Sequence, residues 1–252
     1  MKIITWNING ARAREAQILS LIEQQSPDVL CLQEVKASRE QLPTSLYGLG
    51  ALPDYHACWH GNPGYSGVAL LMKKSRFDAP VFTHPAFDME TRIVTAASGT
   101  TTFASVYAPN GGKDYVAKIA FFKAMVSYVA ELAAQGQRLV LSGDINIALT
   151  ERDVHPSQRK PDVIGQREEE RVLFRELLEG GRLVDLGRQL APEDDRLFSW
   201  WPYWRAAKAR NLGWRIDYVL ASEAIAGGAK SGSILREFGA SDHAPVVVDL
   251  DF

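Results

Sequence analysis

Residues 139–148 read LVLSGDINIA, a short apolar run that ends in the polar group Gly143-Asp144-Ile145-Asn146. An apolar run of this length is typical of a buried β-strand. The same arrangement recurs along the chain, where amide, carboxylate or histidine side chains directly follow or precede other apolar runs. Because a rigid sheet presents side chains at its strand ends to a shared cleft, this pattern predicts a sheet protein with a polar site at that edge.

Eight short runs have β-type composition, and three longer segments have helical periodicity. The predicted strands are Ile3–Trp6, Val29–Gln33, Gly67–Met72, Ile93–Ala97, Thr102–Tyr107, Leu139–Ser142, Trp214–Ala221 and Pro245–Leu250. The predicted helices are Ala13–Gln25, Tyr115–Ala134 and Glu168–Leu178. The excess of strands argues against a simple alternating βα barrel and favours an α/β protein with two sheets packed face to face and helices outside. The long polar segment Thr150–Gln166 predicts a functional loop.

The composition is that of a globular protein with a sizeable core. Of the 252 residues, 46% are hydrophobic and 23% are charged, and no Pro/Gly/Ser-rich linker divides the chain. We therefore expect one domain covering residues 1–252, and nothing in the sequence requires more than a monomer. The net charge of −2 excludes a uniformly basic nucleic-acid binder, so an anionic partner would have to meet a local basic patch.

The chain has two cysteines, Cys31 and Cys58, which exclude a disulfide scaffold and a four-cysteine zinc site. Cys31 lies in the apolar run 29–32 and is expected to be a buried thiol. A signal-peptide pattern and an apolar run of about 18 residues are both missing from the sequence. These features predict a cytoplasmic protein that does not enter a membrane.

The predicted strand ends carry side chains suited to phosphate chemistry. The carboxylates are Glu34, Asp144, Asp217 and Asp242. The amides are Asn7, Asn110 and Asn146. Carboxylates gathered in one cleft would repel one another, and a hard divalent cation such as Mg²⁺ or Mn²⁺ would relieve that repulsion. His243 beside them suits phosphate contact or proton transfer, and the amides would hold anionic oxygens. Together they suggest metal-assisted attack of water on a phosphodiester.

Each motif also has a structural explanation when it is taken alone. Gly-Asp-x-Asn after a strand is often an Asx turn, and Asp242-His243 is also the pattern of a helix cap or a surface pair. Asp217 could pair with Arg215, and Tyr107 could be a packing tyrosine. The functional interpretation therefore depends on the joint order of the motifs.

The segment Ser199–Arg215 combines cations with aromatic rings and has no Asp or Glu. Its cations are Arg205, Lys208, Arg210 and Arg215, and its rings are Trp200, Trp201, Tyr203, Trp204 and Trp214. Cations for phosphates and rings for bases or sugars predict a DNA-binding loop. The alternative is an aromatic-rich core segment with solvated charges.

In their order, these motifs resemble the exonuclease III family of class II apurinic/apyrimidinic (AP) endonucleases, within the larger endonuclease/exonuclease/phosphatase superfamily. The matching stretches are ITWNINGARAR (4–14), LCLQEVK (30–36), YAPNGG (107–112), LSGDINIA (141–148), FSWWPYW (198–204), GWRIDYVLAS (213–222) and SDHAPVVVDL (241–250). The resemblance implies a four-layer αββα sandwich of two mixed sheets flanked by helices. It also implies an Mg²⁺-dependent nuclease, with Mn²⁺ as the other candidate metal. This nuclease would cut double-stranded DNA 5′ to an abasic site and could also act as a 3′–5′ exodeoxyribonuclease or clean blocked 3′ ends.

The resemblance further implies roles for individual residues. The metal ligands would be Asn7, Asn9, Glu34 and Asp242, with the two carboxylates as the main ligands. Asn9 stands where some relatives carry Asp, which leaves the site one charge less acidic. The catalytic residues would be Tyr107, Asp144, Asn146, Asp217 and His243. Tyr107 would support the scissile phosphate, Asp144 would orient or deprotonate the attacking water, and Asn146 would align that water. His243 would contact the phosphate with Asp217 as its orienting partner, and a second metal, if present, would use Asp144, Asn146 and His243.

The DNA contacts implied by the resemblance centre on a small apolar pocket. Its walls would be Trp200, Trp214 and Ile216, and it would accept a flipped sugar without a base but exclude an intact base. Trp204 would wedge into the DNA, and Lys113 would act from the opposite side. The predicted DNA-binding set is completed by Asn110, Lys208 and Arg210.

Two alternative functions stay open: a phosphatase or phosphodiesterase for a lipid or small phosphate ester, and a non-catalytic DNA-binding or scaffold protein.

Overall fold

The computed structural model describes residues 1–251, and within this range the chain forms twelve strands and five α-helices. The strands are β1 (Lys2–Asn7), β2 (Val29–Gln33), β3 (Tyr55–Asn62), β4 (Tyr65–Lys73), β5 (Val81–Thr83), β6 (Ile93–Ser98), β7 (Thr101–Tyr107), β8 (Arg138–Asp144), β9 (Leu183–Asp185), β10 (Asp217–Ser222), β11 (Ala229–Ile234) and β12 (Val246–Leu250). The helices are α1 (Glu15–Gln25), α2 (Tyr115–Ala134), α3 (Glu168–Gly181), α4 (Leu186–Leu190) and α5 (Glu223–Ala226).

The strands form two mixed six-stranded sheets. The first sheet has the order β11-β12-β1-β2-β4-β3, and the second has the order β5-β6-β7-β8-β10-β9. In each sheet one central pair is parallel, β1 with β2 and β7 with β8, and the other pairs are antiparallel. The predicted fold class is thereby confirmed as a single αββα domain of two mixed sheets.

Three apolar layers hold the sheets and helices together. Between the sheets, alternate residues such as Ile3 and Leu70 meet Phe103 and Val140 from the opposite sheet. A second layer joins the outer face of the first sheet to α1, and a third joins the outer face of the second sheet to α2 and α3. Because alternate strand residues point to opposite faces, strands buried on both sides read as continuous apolar runs. Cys31 lies in the middle layer, so the prediction of a buried thiol is confirmed.

Strand register brings the polar strand ends to one edge of the molecule. Asn7 at the end of β1 pairs with Gln33 at the end of β2, and Tyr107 at the end of β7 pairs with Asp144 at the end of β8. β10 runs antiparallel to β8, so its first residue Asp217 also pairs with Asp144. The joint order of motifs in the sequence therefore corresponds to a joint position in space.

The sequence predicted the central strands and the long helices well and missed the outer strands. The predicted strand Val29–Gln33 and helix Tyr115–Ala134 have the observed bounds, whereas the predicted strand Trp214–Ala221 begins only at Asp217. Trp214 instead makes single bridges to Val154 and Trp200, because this part of the chain leaves the sheet to line the cleft. β3, β5, β9 and β11 were not predicted.

Among the described residues, no helix combines the length and the apolar character needed to cross a membrane.

A buried ion pair joins α2 and α3 beneath this polar edge. Lys118 and Glu170 are both fully buried, and the Lys118 Nζ atom lies 2.5 Å from Glu170 Oε1. Lys118 Nζ also donates to the backbone carbonyls of Asn146 (2.8 Å) and Asn110 (3.2 Å). Burial is the largest influence on the pKa of Lys118 and lowers it, although Glu170 opposes the shift. The pair therefore supports the backbone of two loops that carry amides to the edge.

Glu170→Gln is expected to destabilise the protein by about 3–5 kcal/mol, because it leaves the buried Lys118 ammonium without its counter-charge. Urea unfolding followed by circular dichroism measures this loss. The matched control is Glu169→Gln, which removes an exposed carboxylate from the same turn and should change stability by at most about 0.5 kcal/mol. Equal stability of the two variants would show that the pair contributes nothing.

Candidate active site

The polar edge forms a cleft of about 340 Å³ between the two sheets. It is lined by Glu34, Tyr107, Asn110, Gly112, Asp144, Asn146, Ile164, Trp200, Trp214, Ile216, Asp242 and His243. Nearly all of these residues stand among the predicted site residues. Asn7, Asn9 and Asp217 do not line the cleft, but each is hydrogen-bonded to a residue that does.

Glu34 enters the cleft from a strained turn that follows β2. Its backbone φ of +54° lies in the left-handed region, which non-glycine residues adopt only where the surrounding structure enforces it. Asn7 Nδ2 donates to Glu34 Oε1 at 3.0 Å, and the Lys36 ammonium lies 2.6 Å from Glu34 Oε2. These contacts fix the carboxylate at the mouth of the cleft, and each oxygen keeps a further lone pair.

Asn9 and Asp242 form a second anchored pair beside Glu34. Asn9 Nδ2 donates to Asp242 Oδ1 at 3.1 Å, and Asn9 Oδ1 accepts from Lys36 Nζ at 2.8 Å. The indole N–H of Trp200 donates to Asp242 Oδ2 at 3.0 Å, and the Tyr203 hydroxyl donates to Oδ1 at 3.1 Å. Asn9 therefore connects the loop after β1 with the loop before β12.

Asp144 occupies the buried floor of the cleft. Asn7 Nδ2 donates to Asp144 Oδ2 at 2.9 Å, and the backbone N–H of Asn146 donates to Oδ1 at 2.9 Å. A Cβ atom on the preceding Gly143, whose φ is +155°, would lie 1.9 Å from the carbonyl oxygen of Val106. Only glycine allows β7 and β8 to approach so closely, which explains the Gly-Asp sequence at this strand end.

His243 lies between two aspartates. Its Nδ1 atom is 2.9 Å from Asp217 Oδ2, and its Nε2 atom is 3.8 Å from Asp144 Oδ2. Ser199 Oγ donates to Asp217 Oδ2 at 2.6 Å and accepts from the backbone N–H groups of Ile216 and Asp217. The hydrogen bond to Asp217 fixes the orientation of the ring, so Nε2 faces the cleft.

Three carboxylates of the site, Asp144, Glu34 and Asp242, differ in the direction of their pKa shifts. Burial raises the pKa of Asp144 to about 7; the His243 charge opposes this shift, and the nearby Asp217 adds to it. At Glu34, burial also favours a higher pKa, but hydrogen bonds from Asn7 and Lys36 prevail and lower it. At Asp242 burial is again overcome, mainly by the His243 charge and the Trp200 N–H, and the pKa is lowered. Glu34 and Asp242 are therefore ionised, whereas Asp144 is poised to take up a proton near neutral pH.

The two proton donors of the site stay protonated at neutral pH. Burial alone would lower the pKa of His243, but the charges of Asp217 and Asp144 outweigh it and raise the pKa to about 10. The pKa of Tyr107 is raised by burial and by the Glu34 and Asp144 carboxylates. An imidazolium and a phenol therefore face the cleft, and both can donate hydrogen bonds to a phosphate.

The donor set at the mouth of the cleft suits a hard divalent cation. Glu34 and Asp242 are ionised and offer oxygen, and Asn7 and Asn9 add amide groups that are already hydrogen-bonded to these carboxylates. The Lys36 ammonium between Glu34 and Asn9 shows that these oxygens already attract positive charge. Oxygen donors without sulfur, with a single imidazole nearby, favour Mg²⁺ or Mn²⁺ over softer metals.

Asp144, Asp217 and His243 also place one ligand atom each within 4.8 Å of one another, although their mutual contacts already satisfy most of these atoms.

Two tryptophans form the apolar wall of the cleft. The rings of Trp200 and Trp214 meet edge to face at 5.5 Å and pack with Ile216. The Trp214 indole N–H donates to Gln158 Oε1 at 2.6 Å, and a Cβ on Gly165 would come within 3.0 Å of the Trp214 ring. Gln158, Ile164 and Gly165 belong to the predicted loop Thr150–Gln166, so this loop does contribute to the site.

Four predicted DNA-contact residues lie outside the lining of the cleft. Trp204 and Arg210 are exposed, and the Lys113 ammonium lies over the Tyr65 ring at 5.8 Å. Lys208 is half-buried and donates to the Ser241 carbonyl at 3.1 Å. Their DNA contacts stay predictions.

Arg215 is not part of a basic surface, contrary to the sequence prediction for Ser199–Arg215. Only 3% of its side chain is exposed, and it forms ion pairs of 2.7 Å with both Asp153 and Asp185. It therefore anchors the loop after β8 to the second sheet. The pairing with Asp217, considered as an alternative from the sequence, does not occur, because Asp217 binds His243.

Sequence reasoning missed two residues that shape the site. Ser199 holds Asp217 and carried no signal beyond its place in the FSWWPYW motif. Arg92 is buried and stacks over the Tyr107 ring at 4.8 Å, where it also donates to the Tyr65 hydroxyl at 2.7 Å. A lone arginine before an apolar strand has many explanations, so only the structure reveals this contact.

Comparisons with known proteins agree with this geometry. The model of the Endonuclease/Exonuclease/phosphatase family matches residues 4–243. An exodeoxyribonuclease of Bacillus subtilis is 34% identical over 98% of this chain and 98% of its own length. A DNA-(apurinic or apyrimidinic site) endonuclease of Dictyostelium discoideum is 30% identical over all of this chain and 71% of its own length. Among solved structures, a 3′ phosphatase from Neisseria bound to a product DNA hairpin has a TM-score of 0.88 and 31% identity over the full length of both chains.

Proposed function

The chain belongs to the endonuclease/exonuclease/phosphatase family, and we propose that it is a DNA-repair nuclease that hydrolyses the phosphodiester 5′ to an abasic site. One observation carries the proposal: Asp144 and His243, the latter held by Asp217, line the same cleft as the Trp200–Trp214 wall. Asp144, His243 and Asp217 have the side chains needed for phosphodiester hydrolysis. The tryptophan wall offers an apolar surface for a sugar that lacks its base.

The chemistry follows from the ionisation of the side chains. Asp144, with its raised pKa, accepts a proton from the attacking water, while Asn146 holds that water. Asn146 Nδ2 donates to the Ala108 carbonyl at 2.9 Å. The Asn146 Oδ1 atom is therefore left to accept a hydrogen bond from the water. His243 Nε2 and the Tyr107 hydroxyl donate to the phosphate oxygens and stabilise the charge that develops there.

The proposed metal ligands are Glu34 and Asp242, supported by Asn7 and Asn9. These residues would hold Mg²⁺, or Mn²⁺ in its place, which would supply positive charge to polarise the phosphate and stabilise the leaving oxygen. Asn7 holds Glu34 and Asp144 at a fixed separation, because one amide nitrogen donates to both carboxylates.

Selectivity for abasic sites is proposed to come from the shape of the aromatic wall. Hydrogen bonds to Gln158 and Asp242 hold the two indoles in place, so the pocket cannot widen freely to admit a base. Unpairing costs least where a base is already missing, which adds to the preference. A lipid or small phosphate ester would not require this wall.

Trp214→Ala is expected to reduce the preference of kcat/KM for abasic over intact duplex by about tenfold, because the variant opens room for a base. Trp214→Phe, which keeps an aromatic wall, is the matched control and should retain most of the preference. Steady-state cleavage of the two duplexes measures the ratio. An unchanged ratio in Trp214→Ala would contradict the pocket assignment.

A second activity, removal of 3′ blocking groups, has specific support from the neighbour described as a 3′ phosphatase bound to a product DNA hairpin. Both activities would use the same catalytic groups and differ only in where the DNA lies. Three duplexes distinguish them: one with an internal abasic site, one with a 3′-phosphate end and one undamaged. Internal incision that leaves a 3′-hydroxyl supports the proposed function, whereas release of phosphate alone assigns the protein to end cleaning.

A further inference from the structure

A cluster of two histidines and an aspartate lies at the margin of the two sheets, outside the catalytic cleft. His60 is near the end of β3, His84 follows β5, and Asp88 lies in the turn before β6. β3 and β5 are edge strands of different sheets. One ligand atom from each of the three side chains lies within 4.8 Å of the others. None of the three lines the catalytic cleft.

The surrounding backbone fixes Asp88. Its Oδ1 atom accepts hydrogen bonds from the backbone N–H groups of Arg92 (2.8 Å) and Ile93 (3.0 Å). The Oδ2 atom is thereby directed at His60, whose Nε2 atom lies 2.6 Å away. Burial favours a higher pKa for Asp88, but the bonds from His60 and the backbone prevail and lower it, so the carboxylate is ionised.

His84 is held in the tautomer that leaves a nitrogen free for a ligand. Its Nδ1 atom lies 3.3 Å from the Ile93 carbonyl oxygen. Because a carbonyl oxygen can only accept, Nδ1 carries the hydrogen and Nε2 keeps its lone pair. A histidine whose other nitrogen donates to a backbone carbonyl is the usual arrangement of a metal ligand.

The ion pair between His60 and Asp88 does not include His84, although His84 lies directly against it. The His60 and His84 rings stack at 3.8 Å with an angle of 24° between their planes. A metal ion bound between His60 and Asp88 would also have the His84 imidazole within reach as a ligand.

We propose that His60, His84 and Asp88 form a binding site for Zn²⁺ or a similar transition-metal ion, separate from the cation site of the proposed nuclease. Two imidazoles and one carboxylate are a donor set that zinc accepts and that Mg²⁺, which prefers oxygen, does not. Three protein ligands leave a fourth position for water.

Binding requires small movements that the local structure allows. Tetrahedral ligands about 2.0 Å from zinc are roughly 3.3 Å apart, so His84 moves inward while the 2.6 Å contact between His60 and Asp88 opens. His84 is exposed and lies in the loop between β5 and β6, so solvent and not packed core surrounds the path of this movement. The bound ion would connect the edge strands of the two sheets through side chains.

Zinc titration of the metal-stripped protein in the presence of excess Mg²⁺ tests the proposal. A chromophoric zinc indicator reports affinity by competition, and elemental analysis after dialysis gives stoichiometry. The expected result is one equivalent of Zn²⁺ per chain. His84→Ala should weaken binding by about 100-fold or more, since loss even of a supporting residue around a metal site costs 10–100-fold. Mg²⁺-dependent nuclease activity of His84→Ala should be unchanged.

Two further variants separate this site from other ligands. His155→Ala removes a half-buried histidine outside the cluster, and Asp242→Asn removes a carboxylate of the catalytic cleft. Both should retain the zinc equivalent, and Co²⁺ should give visible absorption in them but not in His84→Ala. The proposal is overturned if wild type binds no zinc against the indicator. It is likewise overturned if Asp242→Asn loses the ion while His84→Ala keeps it.

Discussion

Asp144→Asn is expected to lower kcat by about 10³-fold, within the range of 10²–10⁴ that a positioned general base contributes. The asparagine cannot accept a proton, although it fills the same space at the floor of the cleft. Its single oxygen can still accept the hydrogen bond that the Asn146 backbone donates to Oδ1. Only the bond that Asn7 donates to Oδ2 is lost, so the fold should be kept. DNA affinity should not fall, because the substitution removes a negative charge that faces the phosphate. Single-turnover cleavage and equilibrium DNA binding measure the two effects.

The control for Asp144→Asn is Asp249→Asn, the same substitution at a carboxylate of β12 that does not line the cleft. This variant should cleave at the wild-type rate. A rate for Asp144→Asn close to that of the control would remove Asp144 from the mechanism. A parallel loss of DNA affinity and rate would indicate that the residue is structural.

His243→Gln is expected to lower kcat by about 10²–10³-fold, because it removes a charged donor aimed at the phosphate. With a pKa of about 10, His243 stays protonated at neutral pH, so its own titration should not shape the wild-type pH–rate profile between pH 6 and 8. An inflection near 7 in that range belongs to Asp144, whose deprotonated form is the active one, so the rate should rise with pH. Measuring kcat against pH for wild type and His243→Gln tests both statements.

The matched control is His56→Gln, a histidine on β3 that does not line the cleft. It should show the wild-type rate and pH profile. If His243→Gln also kept the wild-type rate, the phosphate contact assigned to this histidine would be wrong. A wild-type rate that fell as the pH rose through 7 would contradict the assignment of Asp144 as the base.

The sequence was sufficient to predict the fold class, because strands buried on both faces leave continuous apolar runs. Val29–Gln33 is such a run, and it was predicted with its observed bounds. β11 was missed for the opposite reason: its sequence AKSGSI has an exposed middle and little hydrophobic pattern. β5 has only three residues, which is too short to give a periodic signal.

The residues that form the site were predictable, whereas the hydrogen bonds and ion pairs among them were not. The order of motifs pointed to Glu34, Asp144 and His243, and the structure brings them to one cleft. Which carboxylate is ionised and which can take up a proton depends on burial and on hydrogen-bond donors such as Asn7. The order of residues along the chain specifies neither. Arg215 shows the limit most clearly. It reads as a surface cation beside aromatic residues, yet its partners Asp153 and Asp185 lie 62 and 30 positions away along the chain.

The most direct test of the proposed function is cleavage of a duplex oligonucleotide with one stable abasic analogue, in Mg²⁺ and in EDTA. We expect a single incision immediately 5′ to the analogue in Mg²⁺, with a 3′-hydroxyl on the upstream fragment and no product in EDTA. Incision that persists in EDTA, or an intact analogue strand in Mg²⁺, would contradict the proposed function.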